Sequence, residues 1–218
     1  MTGSVKRTDA MTAHREVSRD PITGVQIRIG VMGSASDPAD PVVGALCQRL
    51  GRTIAERGAC LLTGACPGLP HESVLGAKET GGHVVGISPA ATLREHVDTF
   101  GSPYREYDVL IFTGLGLMGR ELVNIRSSDI VVVIGGRSGT LGEFAIAYEE
   151  GKLIGVLTGT GGITEALSSV EASLRKDTGA EVIYEGDPAR LIDRLLARYQ
   201  SPGYVCPCWP RRAGLARG

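Results

Sequence analysis

Arg120 and Glu143 are the residues of this chain whose types and settings best suit chemistry. Glu143 closes a glycine-rich run, Gly135-Gly136-Arg137-Ser138-Gly139-Thr140-Leu141-Gly142-Glu143, that follows the β-branched stretch Ile130–Ile134. This pattern reads as a strand buried on both faces, a turn, and a helix over about 140–150 that offers Phe144, Ala147 and Tyr148 to one face. Backbone N–H groups at a helix N-terminus and the helix dipole both favour negative charge, so Gly135, Gly136, Ser138, Gly139 and Thr140 form a candidate phosphate cradle. A carboxylate one turn into that helix can stabilise a developing cation or orient water. Bland readings stand beside these. The loop is no Walker A, because no Lys follows its last glycine, and it also reads as a structural turn. Thr140 and Glu143 have the spacing of a capping box, in which Glu143 only holds the backbone N–H of Thr140.

Arg120 follows Gly114-Leu115-Gly116-Leu117-Met118-Gly119, a literal G-x-G-x-x-G between an expected strand and helix. A dinucleotide site also needs an acid at the end of the next strand to hold a ribose hydroxyl, and Ile134-Gly135-Gly136 stands there instead. The loop is therefore read as lining a nucleotide, with Gly116 among the lining residues, or as tight packing. In the helix expected at 119–127, Met118, Leu122 and Ile125 should face the core, leaving Arg120 and Asn124 together on another face. An arginine on an exposed helix face is usually solvated or paired with a neighbour such as Glu121. His71, His83 and His96 show no metal-ligand spacing, and the spacing suggests no Ser–His–Asp or Cys–His pairing.

The elements that must position these groups alternate along the chain. Strands are expected at 27–32, 59–62, 83–87, 108–112, 130–134, 153–157 and 181–184. Helices are expected at 42–57, 71–80, 119–127, 140–150, 164–176 and 188–199, with a long polar segment running to Pro103. This alternation indicates a single α/β Rossmann-like domain over 27–200, a mostly parallel sheet with helices on both faces. A disordered or loosely packed leader at 1–26 and an irregular tail at 201–218 flank it. In such a sheet the loops leaving strand C-termini share one edge, so Gly33, Ser34, Gly64, Gly114 and the 135–140 loop should gather there with Arg120 and Glu143.

A formal charge of −1 over 218 residues gives no electrostatic reason to expect a nucleic-acid polymer or an anionic membrane as partner. No apolar run suits a bilayer span and the first residues lack a signal-peptide pattern, which points to a cytoplasmic chain. An odd cysteine count argues against a disulfide framework, and the Cys206-Pro207-Cys208 triplet lacks the second pair a metal site needs. No metal or other cofactor is expected.

Met118-Gly119-Arg120, Arg126-Ser127-Ser128-Asp129 and the G-G-x-x-G-T-x-x-E run from Gly135 to Glu143 together resemble the Lonely Guy family, long mislabelled as lysine decarboxylases. The resemblance covers most of 27–200. It implies a Rossmann-like homodimer that hydrolyses the N-glycosidic bond of a cytokinin or other purine-type nucleoside 5′-monophosphate, releasing base and ribose 5-phosphate. Matched by motif, Arg120 and Glu143 fall on the family's catalytic arginine and glutamate, with the glycine loop on the 5′-phosphate and Gly33, Ser34, Gly64, Gly116 and Asn124 about the pocket. The chain departs from the family pattern at Gly119 (histidine or a neighbour), Glu121 (lysine) and Ile134 (proline), and Arg137-Ser138 lengthen the loop. These departures look like a divergent branch near the molybdenum-cofactor carrier proteins, and they imply an alternative: a non-catalytic carrier or sensor of a nucleotide or a pterin phosphate.

Overall fold

A computed structural model describes residues 17–35 and 40–204. The first part of the leader and the Cys206-Pro207-Cys208 triplet lie outside the described residues. The strands are Arg28–Gly33 (β1), Cys60–Thr63 (β2), Val84–Ser88 (β3), Val109–Phe112 (β4), Ile130–Ile134 (β5), Leu153–Leu157 (β6) and Glu181–Glu185 (β7). All pair in parallel, in the spatial order β4-β3-β2-β1-β5-β6-β7. The helices are Pro41–Glu56 (α1), Leu69–Glu79 (α2), Leu93–Asp98 (α3), Gly116–Ser127 (α4), Ser138–Glu149 (α5), Leu167–Leu174 (α6) and Pro188–Tyr199 (α7), with a 3-10 turn at Gly162–Glu165.

Side chains alternate across a pleated strand, and β5 supplies both cores of the domain. Ile130, Val132 and Ile134 pack with Leu50 and Ile54 of α1, Val74 of α2 and Leu191 of α7. Val131 and Val133 pack on the opposite face with Ile125 of α4, Phe144 of α5 and Leu167 of α6. The Rossmann-like α/β architecture read from the alternating pattern is therefore the observed one. Its aliphatic composition follows from having so few large aromatics to bury.

Two local expectations are corrected. The polar segment before Pro103 contains α3, whose start carries a capping signal that composition obscured: Thr92 Oγ1 accepts from Glu95 N, and Glu95 Oε2 accepts from Ala91 N. Buried His96 fastens this segment to the sheet. Its Nε2–H donates to Pro103 O at 2.9 Å, which leaves Nδ1 to accept the Ser88 hydroxyl at 2.8 Å. The expected 164–176 helix is shorter and is split between the 3-10 turn and α6. Within 17–26, Asp20 Oδ2 accepts the Tyr199 hydroxyl at 2.7 Å and Gln26 Nε2 donates to Gly58 O at 2.9 Å, so these residues are tied to α7 and to the turn after α1.

The α1–α2 contact seats the loop that leaves β1, because Leu69 N at the head of α2 donates to Ser34 O at 2.9 Å. The contact depends on glycine. A Cβ at Gly51 of α1 would lie 1.7 Å from Ser73 O, a backbone atom of α2 that cannot move without its helix. Gly51→Ala should therefore cost about 1–3 kcal/mol of stability, read from urea unfolding midpoints at unchanged m value.

Candidate functional site

β1 and β5 are neighbours in the sheet, although the chain leaves β1 towards β2 and leaves β5 towards β6, on the other side. The carboxyl ends of two such strands open a crevice, where ligands of open α/β sheets bind. Here the crevice is a cavity of about 480 Å³. Met32 to Ala35 form one wall, Gly64, Cys66 and Pro70 a second, α4 a third, and residues 137–140 with Glu143 a fourth.

Arg120 and Glu143 meet in this cavity. Arg120 Nη1 stands 3.9 Å from Glu143 Oε1, with side chains only 7% and 9% exposed. At that separation the pair interacts through charge and not through a short hydrogen bond. The guanidinium lies against the loop after β2, where a Cβ at Gly64 would come within 1.8 Å of Nη1. Gly64 thus serves as the seat of Arg120. Burial pushes the Glu143 carboxyl up to about 7, against the pull of Arg120 and with a further push from the neighbouring charge of Glu121.

The capping-box reading of Glu143 fails on geometry. The residue before α5 is Arg137, no side chain caps the helix, and Thr140 is the third residue of the helix and not its N-cap, so the Thr140–Glu143 spacing does not form a capping box. The solvated reading of Arg120 fails as well, since the residue is 6% exposed.

α4 is turned the opposite way from the expected one. Met118 is 72% exposed and Leu122 37%, and of the three residues expected to face the core only Ile125 does so. The inward face carries Arg120, Glu121 and Asn124 instead. Three atoms on this face, Arg120 Nε, Glu121 Oε2 and Asn124 Oδ1, are buried without a hydrogen-bond partner. Native structures hold few such atoms, and a cluster of them beside a cavity marks a place where stability yields to function.

Of the residues singled out beforehand, Gly33, Ser34, Gly64, Arg120, Ser138, Gly139, Thr140 and Glu143 line the cavity. Gly116, Asn124, Gly135 and Gly136 do not. Gly116 begins α4, its N–H donating to Pro89 O at 3.1 Å. Asn124 lies one turn behind Arg120, its Nδ2 directed at Met32 Sδ at 3.1 Å. The Gly135 N–H is already used, donating to Thr160 Oγ1 at 2.8 Å, and Gly136 O accepts from Ile163 N at 2.9 Å. Both glycines brace the loop from behind, and with the Gly135 N–H taken the candidate anion-binding edge moves to the first turn of α5, Ser138 to Thr140.

The cavity residues not singled out include a carboxylate and a thiol. Glu121 was visible as a departure from the family motif, but only the fold shows that it points inward. Its carboxyl is raised by burial, against the pull of Arg120. Cys66 adds a thiol pushed up by the same cause. Among the described residues no group of His, Cys, Asp or Glu is placed to hold a metal ion, and no helix is long and apolar enough to cross a membrane.

A family model described as the SLOG cluster4 family matches residues 26–192. The chain belongs to that family. An uncharacterized protein of Archaeoglobus fulgidus is 34% identical over 131 residues, 60% of this chain and 80% of the relative. Among solved structures, TM1055 superposes with a TM-score of 0.69 at 28% identity, covering 78% of this chain and 98% of the other. The molybdenum cofactor carrier protein of Chlamydomonas reinhardtii gives 0.62 at 32% identity, covering 79% and 99%. The molybdenum cofactor binding protein of Rippkaea orientalis gives 0.63 at 28% identity, covering 78% and 96%. The SLOG assignment and these neighbours agree with the resemblance drawn from the motifs, a divergent Lonely Guy-like branch beside the molybdenum-cofactor carriers.

The raised Glu143 carboxyl makes stability depend on pH. Folding strengthens its hold on the proton, so its contribution is complete below the ordinary value of 4.5 and is lost as pH rises through about 7. Glu143→Gln holds the neutral form throughout. Wild type should therefore lose stability relative to this variant between pH 5 and pH 8, by an amount on the order of 2–4 kcal/mol, read from paired urea titrations. His71, which burial holds below its ordinary value, titrates in both proteins and cancels in the difference.

Proposed function

We propose that the chain hydrolyses the N-glycosidic bond of a purine-type nucleoside 5′-monophosphate, releasing free base and ribose 5-phosphate. The observation that carries this reading is the buried Arg120–Glu143 pair, 3.9 Å apart, at the sheet's switch point beside the uncapped first turn of α5. The 5′-phosphate sits on the N–H groups of that turn. The C1′–N bond breaks with its electron pair passing to the base, and water adds at C1′. Positive charge that builds on the sugar is countered by Glu143, whose ionised form takes the proton of the attacking water. With its carboxyl at about 7, Glu143 can hold that proton near neutral pH and release it to solvent, from which the departed base takes up the proton that makes it neutral. Arg120 faces the departing base and offsets the negative charge it gains. Residues 137–140 and Glu143 thereby share one ligand, with no need for a metal or a nucleic-acid polymer, in a role suited to the cytoplasm.

A second reading has its own support. Relatives at 28–32% identity over nearly their whole length are named as molybdenum cofactor carrier or binding proteins. In that reading the same cavity holds a nucleotide or a pterin phosphate and returns it intact. Chromatography of purified protein incubated with a panel of nucleoside 5′-monophosphates, including AMP and N6-substituted AMP, separates the two. Free base is expected from wild type, with turnover reduced by roughly 10²–10⁴ in Glu143→Gln. Bound ligand recovered intact across the panel would favour the carrier.

The outer side of α4 supports a homodimer. Leu115, Met118 and Leu122 are exposed along it. Val109 and Ile111 of the edge strand β4 lie in register with Val85 and Ile87, which pack towards Val123 of α4, so they face the same side and are also exposed. A second copy of this chain would cover this apolar face. Sedimentation should show a dimer that Met118→Lys combined with Leu122→Lys converts to monomer; a monomeric wild type would count against it.

A further inference from the structure

Glu121 is the residue the hydrolytic scheme leaves without a task. It is 7% exposed, lines the cavity, and has an Oε2 that is buried with no hydrogen-bond partner. Its position is defined by α5: a Cβ at Gly139 would lie 4.0 Å from Glu121 Oε1, and one at Gly142 would lie 3.8 Å from Oε2. The carboxylate therefore stands alongside the turn that would hold a phosphate, supplied from α4, and within electrostatic reach of Glu143.

This arrangement restricts what can occupy the cavity. A carboxylate only accepts hydrogen bonds, so the part of the ligand beside Glu121 has to be a donor, and a second anion there would be repelled. The donor must also lie within one sugar of the phosphate, because Glu121 and the phosphate cradle border the same turn. In the hydrolytic reading the anomeric carbon faces Glu143, and the donor on the adjacent carbon is the 2-hydroxyl. Hydrogen bonds to that hydroxyl strengthen as oxocarbenium character develops. The carboxylate's last torsion is soft, so either oxygen can be turned to the cavity.

We propose that Glu121 accepts a hydrogen bond from the ribose 2-hydroxyl and makes the site select ribose over 2-deoxyribose phosphates. This rests on the sugar-phosphate reading above and supplies from α4 the ribose-holding acid that the end of β5 lacks. It also gives the glutamate that replaces the family's lysine a role in recognition.

The test uses base-free probes, D-ribose 5-phosphate and 2-deoxy-D-ribose 5-phosphate, titrated by calorimetry into the full chain. Wild type should bind the ribose compound roughly tenfold more tightly or better, since a site built around a hydroxyl leaves a buried polar group unpaired when the hydroxyl is missing. Glu121→Leu should bring the ratio close to one while both compounds still bind. Equal affinities in wild type, or a preference that survives in Glu121→Leu, would overturn the assignment of Glu121 and leave the sugar-phosphate site standing. Failure of both compounds to bind wild type would overturn both. The wild-type ratio decides the matter even if the variant folds poorly, and loss of a buried unpaired charge should leave its thermal midpoint unchanged or higher.

Discussion

A guanidinium and a carboxylate held 3.9 Å apart, both almost out of water, set the terms for the rest of this structure. A buried ion pair recovers little of its desolvation cost unless further hydrogen bonds complete it, and here Arg120 Nε has no partner. The pair is therefore poor as a structural clamp. It is well suited to a ligand that completes it. Everything around it maintains the separation: α4 delivers Arg120, α5 delivers Glu143, and the missing side chain at Gly64 leaves room for the guanidinium between strand loops.

The same requirement shapes α4 as a whole. Turning Arg120 and Glu121 inward forces Leu115, Met118 and Leu122 outward, because the two sets lie on opposite sides of one helix. The polar interior of the site and the apolar exterior next to the edge strand β4 are two consequences of a single rotation. A surface that pairs with another copy and a cavity that holds a ligand would then share one element.

Behind the site the structure is braced rather than open. Thr160 Oγ1 accepts the Gly135 N–H and donates its own hydroxyl to Leu157 O, while Ile163 N donates to Gly136 O. Lys152 Nζ, fully buried, donates to Ser128 O at 2.7 Å and fastens the turn between α4 and β5 to the start of β6. Side chains that act on a ligand need this kind of backing, since small displacements of a positioned charge are costly to its effect.

Much of this was legible in the order of residues. The β-branched run Ile130–Ile134 announced a strand buried on both faces, and its regular alternation with helices announced a parallel sheet, because both patterns follow from local periodicity. That Arg120 and Glu143 face one edge followed from connectivity, since each sits near the edge-facing start of its helix, whereas their meeting is a finding of the fold. Periodicity could not tell which face of α4 turns inward. A short helix with apolar residues on one side and charged residues on the other is assigned apolar side in, and only the packing of α4 against β1, β3 and α5 reverses that assignment. The capping signal at Thr92 was hidden by polar composition, while the matching spacing at Thr140 proved to lie inside its helix. Sequence alone determined most of the elements, their parallel arrangement and the edge where the candidate residues gather. Tertiary structure decided which N–H groups remain for an anion, which carboxylates are desolvated and which helix face is buried, because those depend on contacts between residues far apart in the chain.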